Sequence, residues 1–387
     1  MKYMKFRLNL ILNITLFCLS QISASQDLDA VKENIAAVVA SNGYKVVKVQ
    51  SLLDAGPSFI NDIFEVLVQD NKGVKPLIIK LISKHWGFKK LSNEVNVLNF
   101  LKSNSSIPVP KVLAHSTDLN ESDDIGYYYI LMEKVQGKVL SSFWNELTPS
   151  QQDKLSLVLQ KHITELHNLK FSKIGSFANL NKMQPSEIIE TPDNHLPFAN
   201  NFYEYVASMA EYYLKIIDSN DKDISSLVRT HSKVILQKLR LEQSNDKQQF
   251  SLCHQDLSLK NIMATKDSIT AILDWEWAAS QPRFMEIFSS YDWLPTIKQK
   301  MEFQKQGKVT NINLNAITLL HVLYSLACFH EWFEIGKLKH TARFLKSKVL
   351  QRKVKKVLPT LLESETTKLK QSIKKQLIIT LKEIVKL

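Results

Sequence analysis

The sequence of 387 residues contains only three cysteines, Cys18, Cys253 and Cys328. Cys18 lies in an apolar N-terminal stretch, which leaves two thiols for the rest of the chain. Two are too few for a disulfide framework, and their spacing does not match a zinc site. With 44% hydrophobic and 23% charged residues, the composition is that of a globular protein with enough apolar material for a core.

Net positive charge is missing from the main body of the chain, although the formal net charge of the whole is +12. Residues 337–387 carry 15 Lys or Arg and 3 acidic residues, so this basic tail accounts for the whole excess. The balanced remainder argues against a nucleic-acid-binding surface. Two helices are predicted in the tail. Packing of these helices on the larger, mainly helical part of the protein is favoured over attachment to an anionic membrane or partner.

The N-terminus lacks an apolar run long enough to span a membrane. The mostly apolar residues 8–19 number 12, and a span requires roughly 20. A positive start, this short apolar segment and small residues at 23–25 predict a signal peptide over residues 1–25. The alternatives are an amphipathic or disordered extension and a misassigned start codon. A signal peptide predicts export, and a cytoplasmic location follows if the signal is false.

Past residue 26 the pattern is that of alternating helix and strands. Apolar spacing predicts a first helix that ends at Asn42-Gly43, with Leu28, Val31, Ile35 and Val38 on one face. Runs rich in β-branched residues predict strands at residues 46–49, 63–68, 77–82 and 127–132. These elements would form a small, mostly antiparallel sheet. From Thr148 onward the pattern is mainly helical.

One lysine interrupts the apolar third strand. Lys80 requires a counter-charge if it is buried, because an isolated buried ammonium is costly. Glu94, inside the next predicted helix, offers one. A strand lysine paired with a helix glutamate is how kinase-like folds hold the α- and β-phosphates of ATP. A surface lysine on an edge strand is the competing interpretation, of equal weight on these residues alone.

The most informative stretch holds a His-Gln-Asp-Leu run, an asparagine five residues after its aspartate, and an Asp-Trp-Glu run after a strand. Phosphoryl transfer needs a carboxylate that accepts or orients the proton of the attacking hydroxyl. It also needs an amide oxygen and a second carboxylate to hold Mg²⁺. Asp256 is the candidate base, and Asn261 and Asp274 are the candidate metal ligands. Each residue alone would be a turn or capping residue, but the ordered set favours the chemical interpretation.

These runs resemble the aminoglycoside phosphotransferase and choline kinase group of small-molecule kinases, from about residue 28 to about residue 335. The specific marks are His254–Leu257 with Asn261-Ile262, and Ile272–Glu276; the weaker ones are Val109–Val112, Met132-Glu133 with Gly137, and Leu166-His167. The resemblance implies an α+β, two-lobed, protein-kinase-like fold. A small β-rich nucleotide-binding lobe would occupy residues 27–135, and a larger helical lobe for catalysis and substrate would occupy residues 136–336.

The resemblance also implies the partners and the roles of further residues. The partners would be a nucleoside triphosphate, ATP or GTP, in the cleft between the lobes and a small-molecule substrate with a hydroxyl group. Lys80 would hold phosphates, Glu94 would pair with it, and Ser58 would lie in the loop that covers the phosphates. His254 would brace the catalytic loop. The hinge residues that would contact adenine through their backbone are Met132, Glu133 and Lys134.

Several positions depart from the family pattern. Gln255 stands where the family often has glycine, and the phosphate-covering loop has a single glycine, Gly56, followed by Pro57. After Asp-Trp-Glu the family commonly has Gly-Asp-Pro, where this chain has Ser280-Gln281-Pro282. None of these departures removes a residue that the chemistry requires.

A predicted signal peptide conflicts with a need for ATP, which is scarce outside the cytosol. Three explanations are open: a false signal, another compartment that contains ATP, or a catalytically silent binding module that kept the fold. The intact set of Lys80, Asp256, Asn261 and Asp274 argues against the silent module. Protein kinase activity is disfavoured because no recognisable activation segment follows Asp274. The substrate stays open on sequence alone.

Overall fold

A computed structural model describes residues 28–52, 61–83, 87–117, 127–189, 195–220, 222–243, 249–289 and 311–331, with residues 375, 377–379 and 382 near the C-terminus. The predicted signal peptide, Ser58 with its loop, and nearly all of the basic tail lie outside these residues and stay predictions. Within the described part, no helix combines the length and the apolar character needed to cross a bilayer.

The regular elements are numbered in chain order. The described helices are α1 (residues 28–41), α2 (Gly87–Asn104), α3 (Pro149–Leu166), α4 (Phe202–Asn220), α5 (Lys222–Gln243), α6 (Phe284–Ser289) and α7 (Asn311–Glu331). The described strands are β1 (Lys45–Ser51), β2 (Asn61–Asp70), β3 (Gly73–Ser83), β4 (Val112–His115), β5 (Tyr127–Glu133), β6 (Lys138–Val139), β7 (Lys170–Phe171), β8 (Gly175–Ser176), β9 (Glu187–Ile189), β10 (His195–Pro197), β11 (Phe250–Cys253), β12 (Ile262–Ala264), β13 (Ile269–Ile272) and β14 (Ala279–Gln281).

The N-terminal strands form one antiparallel sheet in the order β1-β2-β3-β5-β4. The four predicted strands are confirmed here as β1, β2, β3 and β5. Lys80 on β3 lies opposite Ile63 of β2 on one side and Ile130 of β5 on the other. Because β3 is a central strand, the interpretation of Lys80 as an edge-strand surface lysine is wrong.

Helix α1 packs against one face of this sheet. Its Ile35 and Val39 join a buried cluster with alternate residues of β2 and β3, which are Phe64, Val66, Val68, Leu77, Ile79 and Leu81. Successive side chains of a strand point to opposite faces, so Lys80 points away from α1. Leu28, predicted on the buried face of α1, is 39% exposed and is not part of this cluster.

Helix α2 runs through the interior rather than along the surface. Every residue from Lys90 to Leu98 is buried, although a surface helix would bury only one stripe. The predicted apolar residues Leu91, Val95 and Leu101 are buried as expected. The polar residues between them are buried too, so each of them requires a partner inside the protein.

A second small sheet carries the stretch that the sequence marked as most informative. Strands β12 and β13 form an antiparallel hairpin, and β6 pairs with β12. Thr270 Oγ1 of β13 donates a hydrogen bond at 2.6 Å to the carbonyl of Gln136, which lies just before β6. Gly137 has φ +95°, and a Cβ built there would lie 2.5 Å from the Ala264 carbonyl oxygen. Glycine is therefore the residue that allows β6 to approach the hairpin.

The helical part of the chain begins where the sequence predicts. Thr148 is the N-cap of α3, and its hydroxyl accepts a hydrogen bond from the Gln151 N–H while the Gln151 side chain accepts one from the Thr148 N–H. Pro149 occupies the first turn, where a missing N–H costs nothing. This capping box fixes the start of α3.

The chain divides into two compact units. The first includes the described residues within Met1–Asn168, Ser176–His195 and His254–Ala278. The second includes those within Leu169–Gly175, Leu196–Cys253 and Ala279–Leu387. In the second unit α4, α5 and α7 pack against one another, and β11 pairs with both β7 and β14. The predicted lobe boundary between residues 135 and 136 stays a prediction.

We expect Gly137→Ala to lower the free energy of unfolding by about 2–4 kcal/mol, because an alanine resists the positive φ and its Cβ would clash with β12. The matched control is Gly43→Ala. Gly43 also has positive φ, at +86°, but a Cβ there meets nothing within 4 Å. Urea unfolding of both variants measures the difference, and equal losses would show that the close approach to β12 contributes nothing.

Candidate active site

The predicted site residues that the structure describes all belong to the first unit. Lys80 comes from β3, Glu94 from α2, and Asp256 with Asn261 from the loop that precedes β12. Asp274 follows β13 directly. Three separate stretches of chain thus converge, and each is held by regular structure on at least one side.

The Lys80 ammonium lies in a cluster of carboxylates. Its Nζ is 2.7 Å from Glu94 Oε2, 2.8 Å from Asp274 Oδ1 and 3.1 Å from Glu276 Oε2. The side chains of Lys80, Glu94 and Glu276 are at most 5% exposed, whereas that of Asp274 is 31% exposed. The predicted pair of Lys80 and Glu94 is therefore present, and Asp274 is the member of the cluster that faces solvent.

The charges of this cluster shift one another's pKa values. Burial alone would lower the pKa of Lys80, but Asp274, Glu276 and Glu94 outweigh it and raise that pKa well above its usual value. Burial raises the pKa of Glu94 to about 7, although Lys80 acts in the opposite direction. Lys80 is therefore cationic, and burial makes the Glu94 carboxyl easier to protonate than an exposed glutamate.

A second buried lysine adjoins the cluster. Lys90 has no exposed side-chain surface, and its Nζ lies 3.2 Å from Glu276 Oε1. The same Nζ is 3.4 Å from the centre of the Trp277 ring, a cation–π distance. Burial lowers the pKa of Lys90, and Glu276 opposes that shift. Sequence reasoning missed Lys90 and gave Glu276 no ionic role, although the spacing of four residues between Lys90 and Glu94 places both on one face of a helix.

Buried amides of α2 fix the backbone after Asp274. Asn93 Nδ2 donates to the carbonyls of Trp275, Glu276 and Ala278 at 3.3, 3.0 and 2.9 Å. Its Oδ1 accepts the Phe177 N–H at 2.6 Å. Asn93 therefore ties the helix that carries Glu94 to the segment that carries Asp274. This residue was also missed from the sequence.

Asn96, one turn further along α2, ties the helix to the backbone of residues 177–181. Its Nδ2 donates to the carbonyls of Phe177 and Asn179 at 2.6 and 2.7 Å, and its Oδ1 accepts the Asn181 N–H at 2.8 Å. The two asparagines satisfy loop backbone groups that would otherwise be buried without partners. Asparagine has both donor and acceptor atoms, which this position between two backbones requires.

The catalytic-loop candidates also lie in contact. Asn261 Nδ2 donates to the Asp256 carbonyl at 2.8 Å and to Asp256 Oδ2 at 3.0 Å. Burial raises the pKa of Asp256, the Asp274 charge adds to the rise, and His254 and Asn261 oppose it. A raised pKa makes the ionised carboxylate a better proton acceptor.

His254 connects this loop with the strand before Asp274. Its Nε2 lies 2.8 Å from the Leu273 carbonyl oxygen and its Nδ1 accepts the Asp256 N–H at 3.2 Å. The Leu273 N–H donates to the Asn261 carbonyl at 2.8 Å. Both ring nitrogens of His254 thus contact backbone groups, and the bracing role stays a prediction.

Two residues of the site adopt left-handed backbone conformations. Gln255 has φ +68°, and Asp274 has φ +65°. Non-glycine residues rarely occur there, and such strain concentrates at functional sites. The conformation of Gln255 gives a physical reason why glycine is common at this position in the family that the chain resembles.

The predicted hinge residues lie at the end of β5. Met132 is nearly buried and pairs with Ile78. The Glu133 N–H donates to the Lys111 carbonyl at 3.0 Å. Lys134 forms an ion pair with Glu65 of β2. These residues are remote in sequence from Asp256 and Asp274, and their predicted contact with adenine stays a prediction.

A match to a known protein family defines the class of the chain as phosphotransferases that act on hydroxyl groups. Residues 57–308 match the family model described as "Phosphotransferase enzyme family". That match covers more than half of the chain, so the protein belongs to this family. The predicted family and fold class are confirmed.

The chain is also similar to two curated fungal proteins. The chain is 25% identical over 291 residues to clavilactone A biosynthesis cluster protein Y of Ampulloclitocybe clavipes, covering 70% of this chain and 66% of that protein. It is 23% identical over 262 residues to a subtelomeric hrmA-associated cluster protein of Aspergillus fumigatus, covering 50% of this chain and 51% of that one. The chain thus spans about half the length of the Aspergillus relative and just under two thirds of the other.

Two solved structures share the fold. The ADP-bound aminoglycoside phosphotransferase APH(2'')-Ib superposes with a TM-score of 0.51 at 13% identity, covering 90% of this chain and 98% of that one. The ternary complex of streptomycin, ATP and APH(2'')-IIa superposes with a TM-score of 0.50 at 14% identity, covering 79% of this chain and 93% of that one. At these identities the likeness shows the fold alone.

We expect Asn93→Leu to lower the free energy of unfolding by about 2–4 kcal/mol, because it strips several buried backbone groups of their partner at once. The control is Asn104→Leu, at the exposed end of the same helix, where the amide contacts only the Phe100 carbonyl among the described residues. Thermal unfolding compares the two. A loss no larger for Asn93→Leu than for Asn104→Leu would contradict the tie between α2 and the Asp274 segment.

Proposed function

We propose that the protein transfers the γ-phosphate of ATP or GTP to a hydroxyl group of a small molecule in a Mg²⁺-dependent reaction. The observation that carries the proposal is the buried Lys80, which touches Glu94 and Asp274 in the same unit as the contact between Asp256 and Asn261. Phosphoryl transfer depends chiefly on positioning and on neutralising the charge of the phosphates. A fixed cation beside paired carboxylates supports that requirement.

Lys80 would bind the α- and β-phosphates. Its raised pKa keeps it cationic, and Glu94 fixes it from the buried side at 2.7 Å. A nucleotide would approach from the side of Asp274, the partly exposed member of the cluster. Lys80 would then exchange its contacts with Asp274 and Glu276 for phosphate oxygens, while the contact with Glu94 holds the strand lysine in place.

Asn261 and Asp274 would hold the magnesium ion. An amide oxygen and a carboxylate are hard oxygen donors of the kind that Mg²⁺ prefers, so these residues fit that ion. Because Asn261 Nδ2 donates to Asp256, the amide oxygen would be the atom that binds the ion. The ion, when bound, offsets negative charge on the phosphate oxygens.

Asp256 would accept or orient the proton of the attacking hydroxyl. Burial raises the pKa of its carboxyl, which favours proton transfer. The hydrogen bond from Asn261 fixes one oxygen, Oδ2. The other carboxylate oxygen, Oδ1, would then accept the proton of the substrate hydroxyl.

Met132, Glu133 and Lys134 would form the adenine hinge. The Glu133 N–H is already donated to Lys111, so a backbone contact of this residue with the base would come from its carbonyl oxygen. Ser58, in the predicted phosphate-covering loop, lies outside the described residues. Two related structures contain ATP and ADP, respectively, which supports a purine nucleotide here.

The acceptor is proposed only as a small molecule with a hydroxyl group. One related structure contains streptomycin, but a shared fold hosts many substrates. A panel of aminoglycosides, choline, ethanolamine, macrolides and sugars, assayed by Mg²⁺-dependent consumption of ATP and GTP, would identify the class. Absence of both turnover and nucleotide binding would favour the catalytically silent module.

We expect Asp256→Asn to reduce turnover by several orders of magnitude while Mg-ATP still binds, because asparagine keeps the shape but cannot accept the proton. Phosphate-transfer assays and isothermal titration calorimetry separate the two effects. The control is Asp267→Asn, in the exposed turn between β12 and β13. Turnover that survives Asp256→Asn would refute the assignment of the base.

We expect Asp274→Ala to weaken nucleotide binding in the presence of Mg²⁺ far more than binding in its absence, because the variant loses a metal ligand while Lys80 is released for the phosphates. Calorimetry with ATP in magnesium and in EDTA measures both affinities. An unchanged affinity for Mg-ATP would remove Asp274 from the metal site.

A further inference from the structure

Glu276 bridges two buried lysines. Its Oε2 lies 3.1 Å from Lys80 Nζ, and its Oε1 lies 3.2 Å from Lys90 Nζ. The Glu276 side chain is only 3% exposed, so water contributes little to its charge balance. Among the described residues, the cluster contains the ammonium groups of Lys80 and Lys90 and the carboxyl groups of Glu94, Asp274 and Glu276.

Lys90 is fixed in its place in a way that Lys80 is not. Lys90 is enclosed on α2, with Trp277 stacked against its ammonium at 3.4 Å from the ring centre. Lys80 instead touches the partly exposed Asp274. Lys80 can therefore reach an incoming ligand by exchanging Asp274 and Glu276 for that ligand, whereas Lys90 is confined to the buried side of the cluster.

This difference matters if the protein binds a nucleotide as proposed above, so the inference rests on the proposed function. When Lys80 turns to the phosphates of a nucleotide, Glu276 loses part of its positive surroundings. An uncompensated buried carboxylate is strongly unfavourable. Without another cation, Glu276 would hold Lys80 back and oppose nucleotide binding.

We propose that Lys90 is a positioning residue that serves as the permanent counter-charge of Glu276, so that Lys80 is released for the nucleotide. Lys90 touches no reacting group in this role and acts through Glu276. Its effect is on nucleotide affinity, and the chemical step that follows depends on Asp256. The alternative is that Lys90 only fills space beside Trp277.

The first test is Lys90→Met, which keeps most of the side-chain volume and removes the charge. We expect the Kd for Mg-ATP, measured by calorimetry, to rise by about tenfold or more, with a smaller change in kcat than in KM. The matched control is Lys102→Met, an exposed lysine on the same helix. A folded Lys90→Met protein with wild-type affinity would overturn the proposal.

A double-mutant cycle with Glu276→Gln distinguishes positioning from packing. If Lys90 acts through the charge of Glu276, the loss caused by Lys90→Met should be much smaller in the Glu276→Gln background than in the wild type. An equal loss of affinity in both backgrounds would show that Lys90 only packs, and would overturn the proposal.

The double-mutant cycle also gives a result if the Lys90→Met protein does not fold. The double variant lacks the carboxylate that Lys90→Met deprives of one of its two lysines, so it should fold, with a Tm well above that of the single variant. A double variant as unstable as the single one would refute the pairing. Failure of the wild-type protein to bind Mg-ATP would instead refute the proposed function, so the two failures are distinct.

Discussion

The site depends on the burial of one positive charge. A lysine on a central strand is stable only if carboxylates reach it from neighbouring elements, because removing a charge from water costs several kcal/mol unless it is paired. Glu94 arrives on α2 and Asp274 with Glu276 on the segment after β13. The need to neutralise Lys80 therefore sets the position of a helix and a turn that are far apart in sequence.

Much of this could be predicted from the sequence because its signals are local. Alternating β-branched residues marked the strands, and the Thr148 capping box marked the start of α3. The pairing of Lys80 with Glu94 was one of two equally weighted interpretations, and the cost of burying an ammonium suggested it. Asp256 and Asn261 were assigned to one site because they stand five residues apart in one loop, and the structure adds that they lie in contact.

The sequence did not predict that polar residues of α2 would be buried. In a sequence, Lys90, Asn93 and Asn96 read as the solvated face of an amphipathic helix. In the structure they face other backbones and a buried glutamate, and only the tertiary arrangement supplies those partners. The exposure of Leu28 is the converse case, an apolar residue that the helix pattern placed inside.

The anchoring of α2 has a consequence for the design of inhibitors. A compound that gained room behind the Lys80–Glu94 pair by displacing this helix would have to break the hydrogen bonds of Asn93 and Asn96 together, at about 1 kcal/mol or more for each bond. The partly exposed edge at Asp274 demands no such rearrangement. Compounds directed at that edge would meet the protein in the shape it already has.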